Sequence, residues 1–358
     1  MIVLPLKIND SSSLRIIDRT LPEIYMSEVK MSRLDIIDLC WALKDIGVDL
    51  IEINRDICRK VGKLPAGIDF LLRVQKQEDL HMLEKASIRN CIIGEEQMSD
   101  NKLMEELKAR EANISLEYRA DTVQELLMAC KSGLDKGISC LRLLGLSKIS
   151  SFKWIEAVKE INALYGGGVD ICAENNLYCA TALAVEAVMN GVGSITASFS
   201  GYGGKNGFAA LEEVLVSIKT IIDPYTRLDL KKLPNLKKKF THITGRAVSG
   251  IKPVIGKDIF KYESGIHADG IGKNPLTYEP FDPAMVGQQR RLVIGKHSGK
   301  KSIMHKLKEL GITLGLEELD VLLQIVKDRS VEMKRSLNDI EIIRICTAGG
   351  LEAWELKL

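Results

Sequence analysis

Two side chains suited to acid–base chemistry, His267 and Tyr278, lie in a segment rich in glycine and proline that runs from residue 260 to residue 283. An imidazole titrates near neutral pH and can take up or release a proton, and a phenol can donate a hydrogen bond. Segments of this kind carry binding and catalytic residues more often than protein cores do. The pattern predicts a turn-rich loop, although a single histidine in a turn is more often a surface residue than a catalyst.

The elements that must position this loop alternate regularly over residues 14–222. Short apolar stretches predict strands, and the amphipathic stretches between them predict helices, one of which carries Leu34, Ile37 and Trp41 behind a Ser32 N-cap. The predicted strands are Leu14–Asp18, Leu50–Ile53, Asp69–Arg73, Asn90–Ile93, Asn113–Glu117, Ser139–Leu143, Val169–Cys172 and Ser194–Ser198. Eight such strand–helix units predict an α/β fold, a parallel (β/α)₈ or TIM barrel.

An open doubly wound sheet is the competing fold for this alternation. Its glycine-rich phosphate-binding turn would follow the first strand, but Asp18 is followed by Arg19-Thr20-Leu21-Pro22. A glycine-rich segment, residues 201–207, follows the eighth predicted strand instead, at a place where barrels often bind anions. An anion site and a structural turn are both consistent with that segment.

The composition changes near Pro224, which predicts two domains. Residues 1–223 would form the barrel, and residues 224–358 would form a linker and a smaller, largely helical region. The lysine-rich residues 231–239 are predicted to be part of a solvated linker.

Composition argues against nucleic-acid and membrane binding. The net charge is +2, and no apolar run approaches the roughly 20 residues that span a bilayer. The first residues, Met1–Lys7, lack the pattern of a secretory signal peptide. The eight cysteines include no CxxC pair, so they are predicted to be reduced thiols packed as small hydrophobic residues in a cytoplasmic protein.

The chain resembles the family of homocitrate synthases and isopropylmalate synthases, most closely the homocitrate synthases of nitrogen fixation. The similarity is strongest between Phe260 and Gly299. The matching motifs there are Glu263-Ser264-Gly265-Ile266-His267-Ala268-Asp269-Gly270, Lys273-Asn274-Pro275, Thr277-Tyr278-Glu279-Pro280 and Gly295-Lys296-His297-Ser298-Gly299. The resemblance implies a metal-dependent barrel that condenses acetyl-CoA with a 2-oxoacid. It also implies a C-terminal lid whose histidine and tyrosine, here His267 and Tyr278, reach into the barrel of a partner subunit.

The same resemblance weakens at the predicted mouth of the barrel. Where the family has D-T-T-L-R-D-G-E-Q, with an arginine that holds the oxoacid and an aspartate that binds the metal, this chain has Pro22 and Glu23. Where the family has H-A-H-N-D, with two histidine ligands, this chain has Cys172-Ala173-Glu174-Asn175-Asn176. The acid of the family's N-G-L-G-E-R motif is replaced by Gly204.

Three residues are the candidate metal ligands that remain, namely Glu23, Cys172 and Glu174. Positions 172 and 174 point the same way from a strand, but a thiol must lose its proton to bind a metal ion. The competing interpretation is a polar patch that binds no ion. Arg142 is expected to make an outward-facing ion pair, and Arg19 to reach inward only if the turn after the first strand is rearranged.

These patterns favour an acyltransferase subunit that is active only with a partner. The resemblance implies the omega-type subunit of a two-subunit homocitrate synthase, which condenses acetyl-CoA with 2-oxoglutarate for nitrogenase cofactor biosynthesis. A sister subunit with an intact site would bind Mg²⁺ or Mn²⁺ and accept His267 and Tyr278; a homodimer would have two altered barrels. The alternatives are a catalytically inactive paralogue with a structural or regulatory role, and a related 2-oxoacid acyltransferase.

Overall fold

The structure is a computed structural model that describes residues 14–122, 124–128, 136–146, 154–166, 168–224 and 226–347. The N-terminal residues Met1–Lys7 lie outside this part of the chain. The chain divides into two compact units. The first contains the residues through Val248 together with Pro253–Ile255, and the second contains Ser249–Lys252 and the residues from Gly256 onward.

The first unit contains a closed barrel of eight parallel strands in sequence order, as predicted. Its strands are β1 (Arg15–Asp18), β2 (Leu50–Ile53), β3 (Asp69–Arg73), β4 (Asn90–Gly94), β5 (Asn113–Ala120), β6 (Cys140–Gly145), β7 (Val169–Ala173) and β8 (Ser194–Ala197). β1 pairs with both β2 and β8, which closes the sheet. Because both of their faces are covered, most of the strands are apolar runs rather than alternating ones. The exception is β5, which has polar residues at every second position.

The helices of the first unit follow the strands they connect. They are α1 (Thr20–Met26), α2 (Arg33–Asp45), α3 (Arg55–Val61), α4 (His81–Lys85), α5 (Glu95–Met98), α6 (Asn101–Ala109), α7 (Trp154–Leu164), α8 (Ala180–Met189), α9 (Leu211–Ser217) and α10 (Leu233–Thr244). Among the described residues, no helix is both long and apolar enough to cross a membrane.

Helix α2 begins at the predicted cap but buries a different face from the one its spacing suggested. Ser32 and Asp35 form a reciprocal capping box at its start. Leu34 is 72% exposed and Trp41 is 42% exposed. The buried face carries Ile36, Leu39, Cys40 and Leu43 instead. Spacing alone could not choose between two apolar faces of one helix.

The first unit extends beyond the boundary predicted at residue 223. The lysine-rich stretch that was expected to be a linker forms most of helix α10, which Gly245 ends in the left-handed conformation. Leu236 and Phe240 of α10 are buried, and Lys239 pairs with Asp38 of α2 at 2.6 Å. The lysines lie on a helix whose opposite face is apolar, so their number does not make the segment a linker.

The second unit is largely helical. Its elements are β9 (Lys261–Tyr262), α11 (Gly265–Lys273), β10 (Arg291–Leu292), α12 (Lys300–Glu309), α13 (Leu316–Met333) and α14 (Asp339–Thr347), and β9 pairs in parallel with β10. A core of its own contains Ile303, Leu322 and Val326 among other buried residues. His267 lies on helix α11, not in a loop as predicted, because Ser264 caps the helix by accepting a hydrogen bond from the Ile266 amide.

Candidate functional site

The mouth of the barrel holds an enclosed guanidinium group, that of Arg19. Arg19 is the N-cap residue of α1, directly after β1, and it is 6% exposed. Its Nε and Nη2 donate to the same oxygen of Glu23, at 3.0 and 2.6 Å. Its Nη1 lies 3.1 Å from the sulfur of Cys172, and the ring of Phe208 covers its face at 4.1 Å. The turn after β1 thus directs this arginine inward without the rearrangement that the sequence seemed to require.

Glu23 is held from a second side by the glycine-rich segment after β8. The amide of Gly204 donates to the other carboxylate oxygen of Glu23 at 3.1 Å. Gly203 has a φ of +125°, and a Cβ there would lie 2.5 Å from Cγ of Glu23, so glycine is required. The segment predicted to be either an anion site or a turn therefore packs its backbone on a carboxylate of the chain itself.

A layer of charged side chains lies deeper in the barrel. Glu117, Arg142 and Asp170 are neighbours in the register of β5, β6 and β7. Arg142 is fully buried, and its Nε donates to Asp170 at 2.6 Å while its Nη1 pairs with Glu52. The prediction of an outward ion pair for Arg142 was wrong, because its position on β6 faces the interior, where these carboxylates lie.

Arg73, at the end of β3, completes this layer. Its Nη1 and Nη2 each donate to an oxygen of Glu117 at 2.8 Å, and its Nε donates to Glu52 at 2.8 Å. Three guanidinium groups in the barrel thus face four carboxylates, those of Glu23, Glu52, Glu117 and Asp170. Bidentate pairs of this kind are short, directional and strong.

The electrostatic consequences of burial differ among these groups. Burial opposes the charge on Glu52, but Arg73 and Arg142 hold the pKa of this carboxyl well below its ordinary value. Burial would likewise lower the pKa of Arg19, yet the negative groups around it keep that pKa raised. Burial raises the pKa of Cys172 to about 11, although Arg19 opposes the shift. Near neutral pH Cys172 is therefore a thiol, the form that does not bind metal ions.

The candidate metal ligands do not form a metal site. Glu23 and Cys172 both contact Arg19, and Glu174 pairs with Arg119 instead. Within the part of the chain that the structure describes, no group of three or more His, Cys, Asp or Glu side chains could hold a metal ion. A divalent ion needs anionic oxygens and deprotonated or imidazole ligands around an open position. A protonated thiol and two carboxylates already bonded to guanidinium groups do not meet that requirement.

The three arginines inside the barrel are not free to hold the carboxylate of a 2-oxoacid. Such a substrate needs a cationic fork for its carboxylate. Arg19, Arg73 and Arg142 each already bind a carboxylate of the chain, and acids outnumber arginines in this layer. A bound oxoacid would have to displace one of those carboxylates and leave it buried without a partner, which is costly.

The second unit brings His267 and Tyr278 together. Their ring centres are 4.5 Å apart and their planes are tilted by 52°. Helix α11 ends at Lys273. The side chain of the next residue, Asn274, caps the short 3₁₀ turn Pro275–Thr277, and Tyr278 follows that turn directly. Gly270 lies against the Tyr278 ring, so close that a Cβ at this position would collide with the ring. The glycine and proline pattern thus builds a compact scaffold for the two rings.

Glu263 joins this scaffold to the Gly295–Gly299 motif. One carboxylate oxygen of Glu263 accepts a hydrogen bond from the His297 amide at 2.6 Å. Its backbone carbonyl accepts from the hydroxyls of Ser298 and Ser302 at 3.5 and 3.3 Å. Residues that are 34 and 35 positions apart in sequence are therefore joined in a single structural unit, which the sequence reasoning did not foresee.

The surface around His267 is exposed, and it presents apolar side chains beside the charged pair of Asp269 and Lys273. Ile266 is 75% exposed, Leu276 is 73% exposed and Tyr278 is 44% exposed, and His267 itself is exposed. Glu279, the residue after Tyr278, forms an ion pair with Arg290, with the closest contact at 2.7 Å. Clusters of exposed apolar residues around polar groups are typical of surfaces that bind another molecule.

The charged layer inside the barrel is what sequence reasoning missed most completely. Three of its members, Glu52, Arg142 and Asp170, are single charged residues within otherwise apolar strands, whereas Glu117 shares β5 with Arg119. That pattern is itself a signal, since a charged residue is almost never fully buried unless it is paired. Pairing the strands in register would have placed Glu117, Arg142 and Asp170 side by side.

Comparison with known proteins finds relatives over nearly the whole chain. A family model described as "Homocitrate synthase post-HMGL domain-like" matches residues 254–334, and one described as "HMGL-like" matches residues 151–239. The omega subunit of homocitrate synthase from Clostridium pasteurianum is 36% identical over 94% of this chain and 96% of its own length. Homocitrate synthase 1 from Nostoc sp. is 39% identical over 49% of this chain and 47% of its own length.

More distant relatives extend the likeness to other acyltransferases and to a solved fold. The (R)-citramalate synthase of Methanocaldococcus jannaschii is 27% identical over 96% of this chain and 77% of its own length. The solved hydroxymethylglutaryl-CoA lyase of Pseudomonas aeruginosa is similar with a TM-score of 0.53 at 13% identity, covering 68% of this chain and 95% of that one. At that identity the likeness shows the barrel fold alone.

Proposed function

This chain belongs to the homocitrate synthase and isopropylmalate synthase family, and we propose that it is the omega-type subunit of a two-subunit homocitrate synthase. It would donate His267 and Tyr278 from its second unit to the barrel of a sister subunit. The observation that carries the proposal is the contrast between a well-built, exposed ring pair and a barrel mouth whose anionic groups are already neutralised.

The proposed reaction is a Claisen-type condensation. The acetyl methyl group of acetyl-CoA loses a proton and attacks the keto carbon of 2-oxoglutarate, whose oxygen takes up a proton, and water then cleaves the thioester to give homocitrate and CoA. Homocitrate would serve nitrogenase cofactor biosynthesis. His267 would take part in proton transfer at the acetyl methyl group, and Tyr278 would hydrogen-bond to the reacting groups or shuttle a proton. Their proximity lets the two rings act as a unit.

The sister subunit would supply what this barrel lacks. The divalent ion that the family implies, Mg²⁺ or Mn²⁺, and the arginine that grips the oxoacid would both belong to the partner's barrel. The exposed Ile266, Leu276 and Tyr278 fit this arrangement, because docking would remove their apolar surface from water. Such a partner would carry the arginine–aspartate and paired-histidine motifs that are absent here.

The test is a CoA-release assay on the co-purified complex of this chain with such a partner. His267→Ala is expected to lower turnover by about 10²- to 10⁴-fold, the usual contribution of a general acid–base. His305→Ala is the matched control, since His305 is also an exposed helical histidine of the second unit. The isolated chain is expected to release no CoA with either Mg²⁺ or Mn²⁺ present.

The second candidate function is a catalytically inactive structural or regulatory partner. The neutralised barrel mouth supports it as well as it supports the first. Unchanged turnover in the His267→Ala complex would favour this alternative and would remove the proposed donation of the ring pair. Metal-dependent turnover by the isolated chain would contradict both candidates.

A further inference from the structure

The guanidinium of Arg19 is surrounded as a bound cation would be. Glu23 contributes one carboxylate oxygen to two of its nitrogens, Cys172 contributes its sulfur to the third, and Phe208 covers one face. A fourth group, the carboxylate of Glu117, lies 3.8 Å from Nη1. Glu23 and Cys172 are two of the three candidate metal ligands named from the sequence, and both contact the guanidinium of Arg19.

The enclosure is built from backbone as well as side chains. Glu23 is 3% exposed and Cys172 is 0% exposed, so neither can exchange its partner for solvent without movement of the mouth. The Gly204 amide fixes the second oxygen of Glu23, and Gly203 comes so close that no side chain would fit there. The loops after β1 and β8 are therefore tied together through Glu23.

From this geometry we propose that Arg19 is a built-in cation, covalently tethered in the place where Glu23 and Cys172 would otherwise hold a divalent ion. The barrel mouth is thereby closed to metal ions, and its two loops are held together without one. The inference concerns the isolated chain and does not rest on the proposed function. Its physical basis is that a buried carboxylate needs a cation, and the chain supplies that cation itself.

The first test is Mn²⁺ binding by the isolated full-length chain, measured from the electron paramagnetic resonance signal of free Mn²⁺. The wild-type chain is expected to bind no Mn²⁺ stoichiometrically at the barrel, and its thermal midpoint is expected to be the same with and without EDTA. Saturable binding of one Mn²⁺ that Glu23→Gln abolishes would overturn the proposal.

The second test asks whether the charge of Arg19 is what Glu23 requires. Arg19→Met is expected to lower the thermal midpoint by about 10 °C, because it leaves a buried carboxylate unpaired. The double variant Arg19→Met/Glu23→Gln is expected to recover most of that loss, since it removes both charges. Arg15→Met, at the exposed start of β1, is the matched control and should leave the midpoint nearly unchanged.

Two outcomes of this series would overturn the proposal: a midpoint for Arg19→Met equal to that of Arg15→Met, or a double variant no more stable than Arg19→Met. If Arg19→Met does not fold at all, Arg19→Lys replaces it in the comparison. A lysine keeps the charge but loses the forked contact, so an intermediate loss of midpoint is expected. If Arg19→Lys also failed to fold, as Arg19→Met did, that result would count against the proposal that Arg19 acts as a tethered cation.

Discussion

Asp18, the last residue of β1, is a fully buried carboxyl that no arginine neutralises directly. Its two oxygens accept hydrogen bonds from the amide and the hydroxyl of Thr20, at 2.9 and 2.7 Å. Burial raises the pKa of Asp18 to about 7 despite these hydrogen bonds. This side chain therefore makes the stability of the barrel depend on pH.

Stability is predicted to fall as pH rises from about 4 to about 7. An aspartate in the unfolded chain titrates near pH 4, so over this range the folded state binds more protons than the unfolded state. The contribution is at most about 4 kcal/mol, since each pKa unit corresponds to about 1.4 kcal/mol. Asp18→Asn should remove that part of the dependence, as measured by chemical denaturation at pH 5 and pH 8.

The exposed Asp45 on α2 provides the control for this experiment. Asp45→Asn should retain the wild-type difference between pH 5 and pH 8. A wild-type difference that persists unchanged in Asp18→Asn would show that another group is responsible.

The limits of sequence reasoning are clearest for single side chains. Glu23, Cys172 and Glu174 were placed at the barrel mouth from the family's motifs and the strand endings, but their partners depend on where the arginines point. The side chain of Arg19 points inward because of its N-cap position on α1. That of Arg142 points inward because side chains alternate between the two faces of β6. Both are properties of a register that only the closed barrel fixes.

At the scale of elements, most strands were predictable because they are short apolar runs buried on both faces, as in β2 and β7. Helix α11 was not, since glycines at 265, 270 and 272 suggested turns. Ser264 starts this helix, and Gly270 is present because the Tyr278 ring leaves no room for a Cβ. Glycine here reflects packing between the helix and the segment after it.

Gly270→Ala is predicted to separate activity from stability. Alanine favours a helix interior by about 1 kcal/mol over glycine, which offsets part of the cost of moving the partly exposed Tyr278 ring, so the thermal midpoint should change little. Its Cβ would push Tyr278 away from His267, and a displacement of about 1 Å in a catalytic group can cost 10²-fold in rate. The measurement is CoA release by the complex alongside the thermal midpoint of the variant chain.

Gly299→Ala is the matched control, because Gly299 also lies in the second unit and a Cβ there would meet open space. It should retain wild-type turnover. Wild-type turnover in Gly270→Ala as well would mean that the position of Tyr278 does not matter for the reaction.

At the scale of the whole molecule, the two compact units differ in the chemical groups that they make accessible. The first is a barrel whose buried arginines are each paired with carboxylates of the chain, and the second presents a histidine and a tyrosine beside exposed apolar side chains. The sequence predicted this division through uneven resemblance to the family, strong after Phe260 and weak at the strand ends. The sequence did not place the boundary between the units near Val248, because the lysines of α10 suggested a linker although the opposite face of this helix is apolar and buried.

The central claim, donation of the ring pair to another subunit, is tested most directly by photo-cross-linking. A photoreactive phenylalanine at position 276, which is 73% exposed, would be activated in the complex with the sister subunit, and the same probe at Leu316, which is 80% exposed, is the control. We predict that position 276, and not position 316, cross-links to residues at the open end of the partner's barrel, as identified by mass spectrometry. Cross-links from position 276 that are confined to its own chain would contradict the claim.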